Sequence, residues 1–423
     1  MKDRYDVVVV GSGPSAIGLA HKISSNSSKS VLIIEKLNVQ NGGMRNDCKI
    51  SLDYRKSFPE EYWTEESANY YLKEVEEYLK LDFKDVGDIS YYTKQSKKYG
   101  IELIASRQVH IGTDRSLELI NRLINGLKEN NVEILLNTEM VSLKYNDRYI
   151  VLDNGNKIGF TDLCLCTGRK SATWIQNIMK EEGIEFIDNT VDIGIRIEMR
   201  KDSYNILEHL YDPKFVDNIN KVRSFCTNSG HALVVKEKYK DFYSLNGHAL
   251  SSNYAPNGLA NFALLKTITL TEPVVSGNDY AKIVGKTAMN VGGGNPIMQR
   301  LCDFRDGVRS KVEKFENSIY GFSPTLKTCT AGDIALAAPM KIISSIWSTM
   351  KKLDSVCYGV MSPQNVLYYP EIKKYMNKPK FMDNNFQVKD NLYIIGDVGG
   401  ISRGISAAMA SGLKVGDYII KTC

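Results

Sequence analysis

The chain has 423 residues, 24% of them charged and 43% hydrophobic, enough for one large or two closely joined domains around a substantial core. Its 54 basic and 49 acidic side chains leave a formal charge of +5, with lysines interspersed among Glu and Asp, so charge supplies no footprint for nucleic acid. No apolar run approaches the ~18 residues that span a bilayer, and no secretory h-region opens the chain, which predicts a cytoplasmic protein without a membrane partner. Eight cysteines, with no CxxC pair and no Cys/His set at zinc spacing, predict free thiols, with neither a disulfide framework nor a metal.

In chain order, YDVVVV (5–10) is the kind of run that is buried on both faces of a parallel sheet, and it stops abruptly in GSGPSA. Gly11 permits a sharp turn, and Gly13 lets backbone approach a pyrophosphate. Pro14 and Ser15 open a helix where a missing N–H costs little, and Ala16 is small enough for that helix to pack on the strand. Unpaired N–H groups and the macrodipole favour phosphate at such a helix start. The helix is expected to run to about Lys22, and SSNSSKS (24–30) then leads to VLIIEK (31–36), a second buried strand ending in Glu35 and Lys36. An acid about 20 residues beyond the glycines is placed to accept hydrogen bonds from the adenosine ribose. Strand, turn, helix, strand and acid in this order predict a dinucleotide site, but NAD and FAD share these groups and the motif does not separate them.

TEESANYYLKEVEEYLKL (64–81) has apolar residues at helical spacing behind a Thr-x-x-Ser start and predicts an amphipathic scaffold helix. DRSLELINRLINGLKENN (114–131) predicts another, with Asp114 as N-cap. EILLNTEMVSL (133–143) reads as one strand whose backbone near Val141 borders an adenine, and DLCLCTG (162–168) as a strand ending in a Thr167-Gly168 turn beside the cofactor. Cys164 and Cys166 alternate onto one face of that strand, as core residues do.

From about 190 to 355 the pattern changes to strands (DIGIRIEM, HALVVKE, LLKTITLT) and glycine turns, followed by a helix near 296–317. VGGGNP (291–296) reads as a loop, so no second strand-GxGxxG-helix unit for NAD(P)H is expected. The chain closes with VKDNLYIIGDVGGISRG (388–404), in which a short strand meets Gly396 and Asp397, then Gly400, then Arg403, Gly404 and Ile405 at the start of a helix. A second phosphate-side helix start, with an acid for ribityl or pyrophosphate groups, suits the elongated FAD rather than a nicotinamide dinucleotide. The fold class expected is α/β: a Rossmann-like FAD-binding domain with a parallel sheet and an inserted mixed, β-rich substrate domain. Its boundaries are 1–189 with a helical insert near 60–104, 190–355 for the substrate domain, and 356–423 for the return.

GSGPSAIGLA with Glu35, the Thr167-Gly168 turn and the terminal GDxxGxxRG resemble FAD-dependent oxidoreductases of the glutathione-reductase-like superfamily with two dinucleotide-binding domains. HIGTDRSLELINRL (110–123), CTGRKSATWI (166–175), VDIGIRIE (191–198), RSFCTNSGHAL (223–233), NGHALSSN (246–253), NFALL (261–265) and GDVGGISRGI resemble more closely a largely uncharacterised family of FAD-dependent dehydrogenases. The resemblance covers nearly the whole chain and implies FAD and redox chemistry. It also implies that NGGMRNDCKISLD (41–53), with Gly43 and Lys49, lies where related flavoproteins bring backbone towards the flavin. Family members carry Ser-Asp-Gly-Lys where this chain has Asn46-Asp47-Cys48-Lys49, so Lys is kept and Cys replaces Gly.

The expected activity is an FAD-dependent dehydrogenase or reductase acting on a small organic substrate through flavin N5. The electrons are expected to come from the substrate, a transient NAD(P)H or a redox partner protein. The alternatives are a flavin monooxygenase using NAD(P)H and oxygen, and an RNA-modifying or non-catalytic flavoprotein. Of five histidines, His21 and His209 fall in helical stretches, while His110, His231 and His248 fall in loop-like polar contexts; His110 and His248 are the candidates for proton transfer. Lys49 is the candidate for stabilising negative charge on reduced flavin or substrate. Arg196 and Glu198 share one side of a strand and would reach a substrate cavity or pair with one another, and Cys226 has no activating partner nearby in sequence.

Overall fold

The computed structural model describes residues 2–38, 44–45, 48–188, 190–250, 254–270, 276–316, 321–374 and 377–422. Two compact units are present: Met1–Lys84 with Arg107–Asn189 and Tyr375–Cys423, and Asp85–Ser106 with Thr190–Lys374. No helix among the described residues is long and apolar enough to cross a membrane.

The first unit is built on a sheet whose strands lie in the spatial order 387–389, 392–394, 157–165, 4–10, 31–34, 133–135. Every neighbouring pair from 392–394 to 133–135 is parallel, and Val7 to Val10 stand opposite Val31 to Ile34 in register. The valine run serves both faces by alternation. Val7, Val9 and Ile33 enter one apolar cluster with Ala16, Leu19, Leu123 and Met409, and Val8, Val10, Leu32 and Ile34 enter another with Leu163, Ile175 and Ile394. The first helix (Pro14–Asn26) and the C-terminal helix (Ile405–Lys421) pack together through their smallest residues. A Cβ at Gly18 would stand 2.4 Å from the Met409 carbonyl oxygen, and one at Gly412 would stand 2.0 Å from that of Ser15.

In the second unit, among the described residues, an eight-stranded sheet runs in the order 330–331, 297–300, 366–374, 191–200, 259–268, 222–228, 214–217, 102–104. All of its pairs are antiparallel except 297–300 with 330–331. A hairpin of 231–238 with 243–250 completes the strands, and the helices Gly277–Val291 and Met340–Asp354 supply apolar residues to the core. The sequence VGGGNP is indeed a turn: Gly292 ends the 277–291 helix, and Gly293 and Gly294 follow at φ 60° and 92°.

Several local expectations are corrected. The 133–143 stretch is two strands, Glu133–Leu135 and Met140–Lys144, because Asn137 at φ 50° breaks the extended run. The first helix continues past Lys22 to Asn26, and the helix after residue 110 starts at Ser116 with Arg115, not Asp114, at its cap position. Instead of a helix over 296–317 there is a strand at Ile297–Arg300 followed by two short helices. Gln299 and Arg300 are polar yet fully buried, because Gln299 Nε2 donates to Val308 O and Arg300 donates to the carbonyls of Gln364, Lys314 and Phe322, so polarity hid a central strand. The second unit keeps the chain to Lys374 rather than 355, since strand 366–374 pairs with 191–200. Helices Glu65–Leu79 and Ser90–Lys98 do not form one insert: they belong to different units, with strand 102–104 pairing against 214–217.

Candidate functional site

Gly11 has φ 99°, and a Cβ there would lie 2.5 Å from the carbonyl oxygen of Cys166, so only glycine closes this turn against the neighbouring strand end. Gly13 is different. It has an ordinary extended conformation at φ −72°, and its only near neighbour for a Cβ is the same oxygen at 3.8 Å, an ordinary contact. The fold therefore does not demand glycine at position 13, and the bare backbone leaves room for a group placed against it. Pro14 occupies the first turn of the helix, which has no side-chain cap, while Ser15 and Ala16 are buried.

Glu35 follows directly on strand 31–34 and is aimed back at the glycine turn. Its Oε2 accepts from the Ser12 backbone N–H at 3.1 Å and the Ser12 hydroxyl at 2.7 Å, and its Oε1 accepts from Leu37 N–H at 3.0 Å. These bonds orient the carboxylate and leave lone pairs for a diol. Thr138 N–H donates to the Glu35 carbonyl, which brings the turn before Val141 to the same place. Val141 is itself 53% exposed, and Lys36 is exposed and pairs with Glu139 at 3.9 Å. Gly43 lies outside the described residues.

The far end of the chain arrives at the same turn. A Cβ at Gly396 would lie 2.8 Å from the Ser15 hydroxyl oxygen, so residues almost four hundred positions apart are in contact. Asp397 accepts from the Ser402 hydroxyl at 2.7 Å and lies 3.7 Å from the Arg169 guanidinium. Burial pushes its carboxyl above the ordinary carboxylate range, opposed by Arg169, the Ser402 and Gly404 hydrogen bonds and Arg403. Gly400 is left-handed at φ 70° and ends the short turn 397–399. Gly404, at φ 94°, is the uncapped N-cap of the C-terminal helix, Ile405 begins that helix, and nothing lies within 4 Å of where a Gly404 Cβ would be. Arg403 is tied by its N–H to Ser57 O at 2.8 Å. Gly168, at φ 67°, is equally open, and beside it the Thr167 hydroxyl is buried with no hydrogen-bond partner.

Two helix starts without side-chain caps, an oriented Glu35, an orphaned Thr167 hydroxyl and two open glycines converge on one end of a parallel sheet. Uncapped helix starts favour phosphate, and an oriented carboxylate and a buried, unpartnered hydroxyl have the chemistry to bind hydroxyl groups. Ser12, Arg169 and Ser402 complete the set and were not singled out from sequence. Their only signal is adjacency: a hydroxyl between two glycines, a cation directly after Thr-Gly, and a hydroxyl five residues after the acid. Cys164 and Cys166 are buried beside the turn, and burial pushes the Cys166 thiol up to about 12, so it is core and not a nucleophile.

Of the proton and charge candidates, the structure brings two together. Strand Lys49–Leu52 pairs antiparallel with Arg107–His110, and Lys49 stands directly opposite His110. His110, His231 and His248 lie on strands rather than in loops, because 107–110 pairs with 49–52 and 231–238 pairs with 243–250. His248 belongs to the second unit, across from Leu233, and is not part of the Lys49–His110 pair. His231 Nδ1 is 2.9 Å from the Ala255 carbonyl. Arg196 and Glu198 neither pair with each other nor reach solvent. Arg196 makes a bidentate bond to Glu371 at 2.6 and 2.9 Å, and Glu198 accepts from the Tyr368 hydroxyl at 2.6 Å and from Thr325, all fully buried except Thr325. Cys226 sits on strand 222–228 at φ 20°. Cys48, where the resembled family carries Gly, is fully buried at φ 45°, so the chain holds a side chain in a backbone conformation that glycine adopts at less cost.

No protein-family model and no curated protein matches the chain. Among solved structures it is similar to L-proline dehydrogenase from P. horikoshii, at 13% identity over 100% of this chain and 94% of that one, with a TM-score of 0.45. It is also similar to glycine oxidase from Bacillus cereus, at 12% identity over 99% and 96% with a TM-score of 0.41. A flavoprotein/dehydrogenase from Cytophaga hutchinsonii matches at 12% identity over 99% and 78% with a TM-score of 0.42. Likeness this distant fixes neither reaction nor ligand, and the site is read from its own residues.

Proposed function

We propose that the protein is an FAD-dependent oxidoreductase acting on a small organic substrate. The observation that carries the reading is the contact of Gly396, which precedes Asp397, with Ser15 in the Gly11–Ala16 turn, since a nicotinamide dinucleotide would use the first turn and leave the second helix start idle. When bound, FAD would supply the hydride and electron chemistry. The chain's part is to hold and orient. The start of helix 14–26 and the bare Gly13 take the pyrophosphate, Glu35 takes the adenosine ribose hydroxyls, and Asp397, the Thr167 hydroxyl and the start of helix 405–421 take the hydroxyl-bearing linker and its flanks. Lys49 Nζ would hold negative charge that develops beside it, and the His110 imidazole would take or return the substrate proton. The electron partner is a nicotinamide or a redox protein.

The test is purification of the full chain followed by an absorbance spectrum, FAD reconstitution and anaerobic addition of NADH, NADPH, amines and hydroxy acids. The expected result is one FAD per chain, bleached by a member of this panel. A colourless protein that fails to take up FAD would falsify the reading.

A further inference from the structure

The 20 residues 334–353 contain no Asp or Glu and three lysines, Lys341, Lys351 and Lys352. They form the short turn Ile334–Leu336 and nearly all of the helix Met340–Asp354, both in the second unit. The helix gives one stripe to the core: Ile342, Ile346, Met350 and Leu353 are buried. Apolar residues continue beyond that stripe. Leu336 is 72% exposed and Met340 80%, and Ile343 and Trp347 are only partly covered. Large apolar side chains this exposed add nothing to the core, and a set of them beside lysines marks a surface that meets something else.

Two neighbouring segments add the same two kinds of side chain. The buried carboxamide of Gln299 donates to Val308 O at 2.8 Å and accepts from Ile334 N–H at 2.9 Å, which fixes the stretch around Val308 beside the turn. Val308 is 50% exposed, and Arg309 next to it and Lys311 are exposed as well. Asn220 Nδ2 donates to the Ser348 hydroxyl at 3.3 Å, and the Asn220 carbonyl accepts from Lys266 Nζ at 2.6 Å. These bonds bring Ile219, 82% exposed, and Lys221 to the helix. Burial pushes the Lys266 ammonium below its ordinary value, and the charges of Lys341 and Lys221 push it the same way, so three cations stand close together. Acids on these segments are engaged: Asp217 pairs with Lys352 at 2.8 Å, Asp306 pairs with Arg305 at 2.8 Å, and Asp333 accepts from Ala335 N–H at 2.9 Å. Glu313 is exposed and is outnumbered by Arg309 and Lys311.

We propose that this face of the second unit docks on an anionic lipid surface, with Leu336 and Met340 entering the interface and the lysines lying among the headgroups. Apolar side chains bordered by lysines, on a helix with no acid before Asp354, are the pattern of a segment that lies on a membrane. Anionic headgroups supply the countercharge for Lys221, Lys266 and Lys341. Leu336 and Met340 project from a turn and a helix start rather than line a recess, which suits a fluid phase that closes around them. A second copy of the chain fits less well, because a two-fold contact through this face would set its lysines against the same lysines. Docking needs no spanning segment, so it stands beside the lack, among the described residues, of a helix able to cross a membrane, and it departs from the expectation of no membrane partner. It is independent of the FAD reading.

The experiment is co-sedimentation of the full chain with vesicles of phosphatidylcholine alone and of phosphatidylcholine with about 30% phosphatidylglycerol, at low and high salt, with soluble polyglutamate as a competitor. The wild type is expected to bind the anionic vesicles, more weakly as salt rises, and to leave the neutral ones unbound. Lys341→Gln should weaken that binding about fivefold, and the joint change Leu336→Gln with Met340→Gln at least about tenfold. Both chains should melt close to wild type, because the altered side chains are exposed. Lys180→Gln, an exposed lysine on the helix Ala172–Glu181 of the first unit, should change nothing and controls for overall charge. No binding to either vesicle, equal binding to both, or a loss from Lys180→Gln as large as that from Lys341→Gln overturns the inference. Unchanged binding of the Leu336→Gln, Met340→Gln chain overturns it too. A wild-type dimer that this double change dissolves assigns the face to a second copy, and tighter binding to polyglutamate than to vesicles assigns it to an acidic protein; either result overturns the lipid assignment.

Discussion

Replacing Gly412 by alanine tests whether the two ends of the chain are joined by close helix packing. The added Cβ would lie 2.0 Å from the Ser15 carbonyl oxygen, 2.7 Å from the Leu19 nitrogen and 2.9 Å from the Ser15 carbonyl carbon. All three are backbone atoms of a helix held on both sides, so no side chain can rotate away and helix 405–421 must move off helix 14–26. Overpacking of this kind costs about 1–3 kcal/mol, and contact with rigid backbone argues for the upper end. Against it stands the gain of alanine over glycine in a helix interior, about 1 kcal/mol. The net is a loss of about 2 kcal/mol, a fall in thermal midpoint of about 4–8 °C for a unit of this size. The internal control is Gly126→Ala in helix 116–129, where nothing lies within 4 Å of the new Cβ and the same propensity gain should raise the midpoint by a few degrees. Circular dichroism melts of the two variants decide the matter, and a Gly412→Ala chain as stable as wild type would refute the close-packing argument. Nucleotide affinity supplies a second readout, because a displaced helix carries Gly404 and Ile405 with it.

Two further outcomes follow from the site and its surroundings. Gly11→Ala should destabilise the chain and abolish nucleotide binding, since its Cβ meets the Cys166 carbonyl at 2.5 Å with φ 99°. Gly13→Ala, with only a 3.8 Å contact and the modest cost of alanine at a helix cap, should lower the melting temperature by no more than about 4 °C while weakening ADP and FAD at least tenfold, a contrast read by melting and calorimetry. His21 stacks on Tyr78 at a ring separation of 3.6 Å, and burial lowers its imidazole from 6.5 to about 4. A base whose folded value is depressed loses stability as pH falls through the window between these values, because the unfolded chain takes up the proton first. Urea midpoints of the wild type should therefore fall between pH 6.5 and pH 4, and His21→Phe, which keeps the stack without the charge, should flatten that part of the profile; an unchanged slope would refute the assignment.

The patterns that were legible in the sequence were those set by near neighbours along the chain. Val7 to Val10 and Val31 to Ile34 showed their double burial by composition alone, and Gly11 showed its turn. Thr64 was legible as a helix cap, and it does accept from Ser67 N–H at 3.2 Å. The misreadings arose where a distant partner changed a residue's character. Gln299 and Arg300 look like surface residues until the carbonyls that satisfy them are known. His110, His231 and His248 look like loop residues until their partner strands are known. Arg196 and Glu198 look like a pair until Glu371 and Tyr368 claim them separately.

The sequence by itself determined the local geometry of each motif, because a turn, a helix start and an acid at fixed spacing depend on nearby backbone. Only the tertiary structure decided that the two motifs meet, through glycines at 18, 396 and 412 whose missing side chains let helices and turns close to backbone contact. It also decided that Lys49, Ser51, Gln108 and His110 share a face, since antiparallel register is fixed by the packing of Ile50, Leu52 and Val109 beneath them. Register and close approach are pairwise properties of segments far apart in the chain, and no single stretch of residues encodes them.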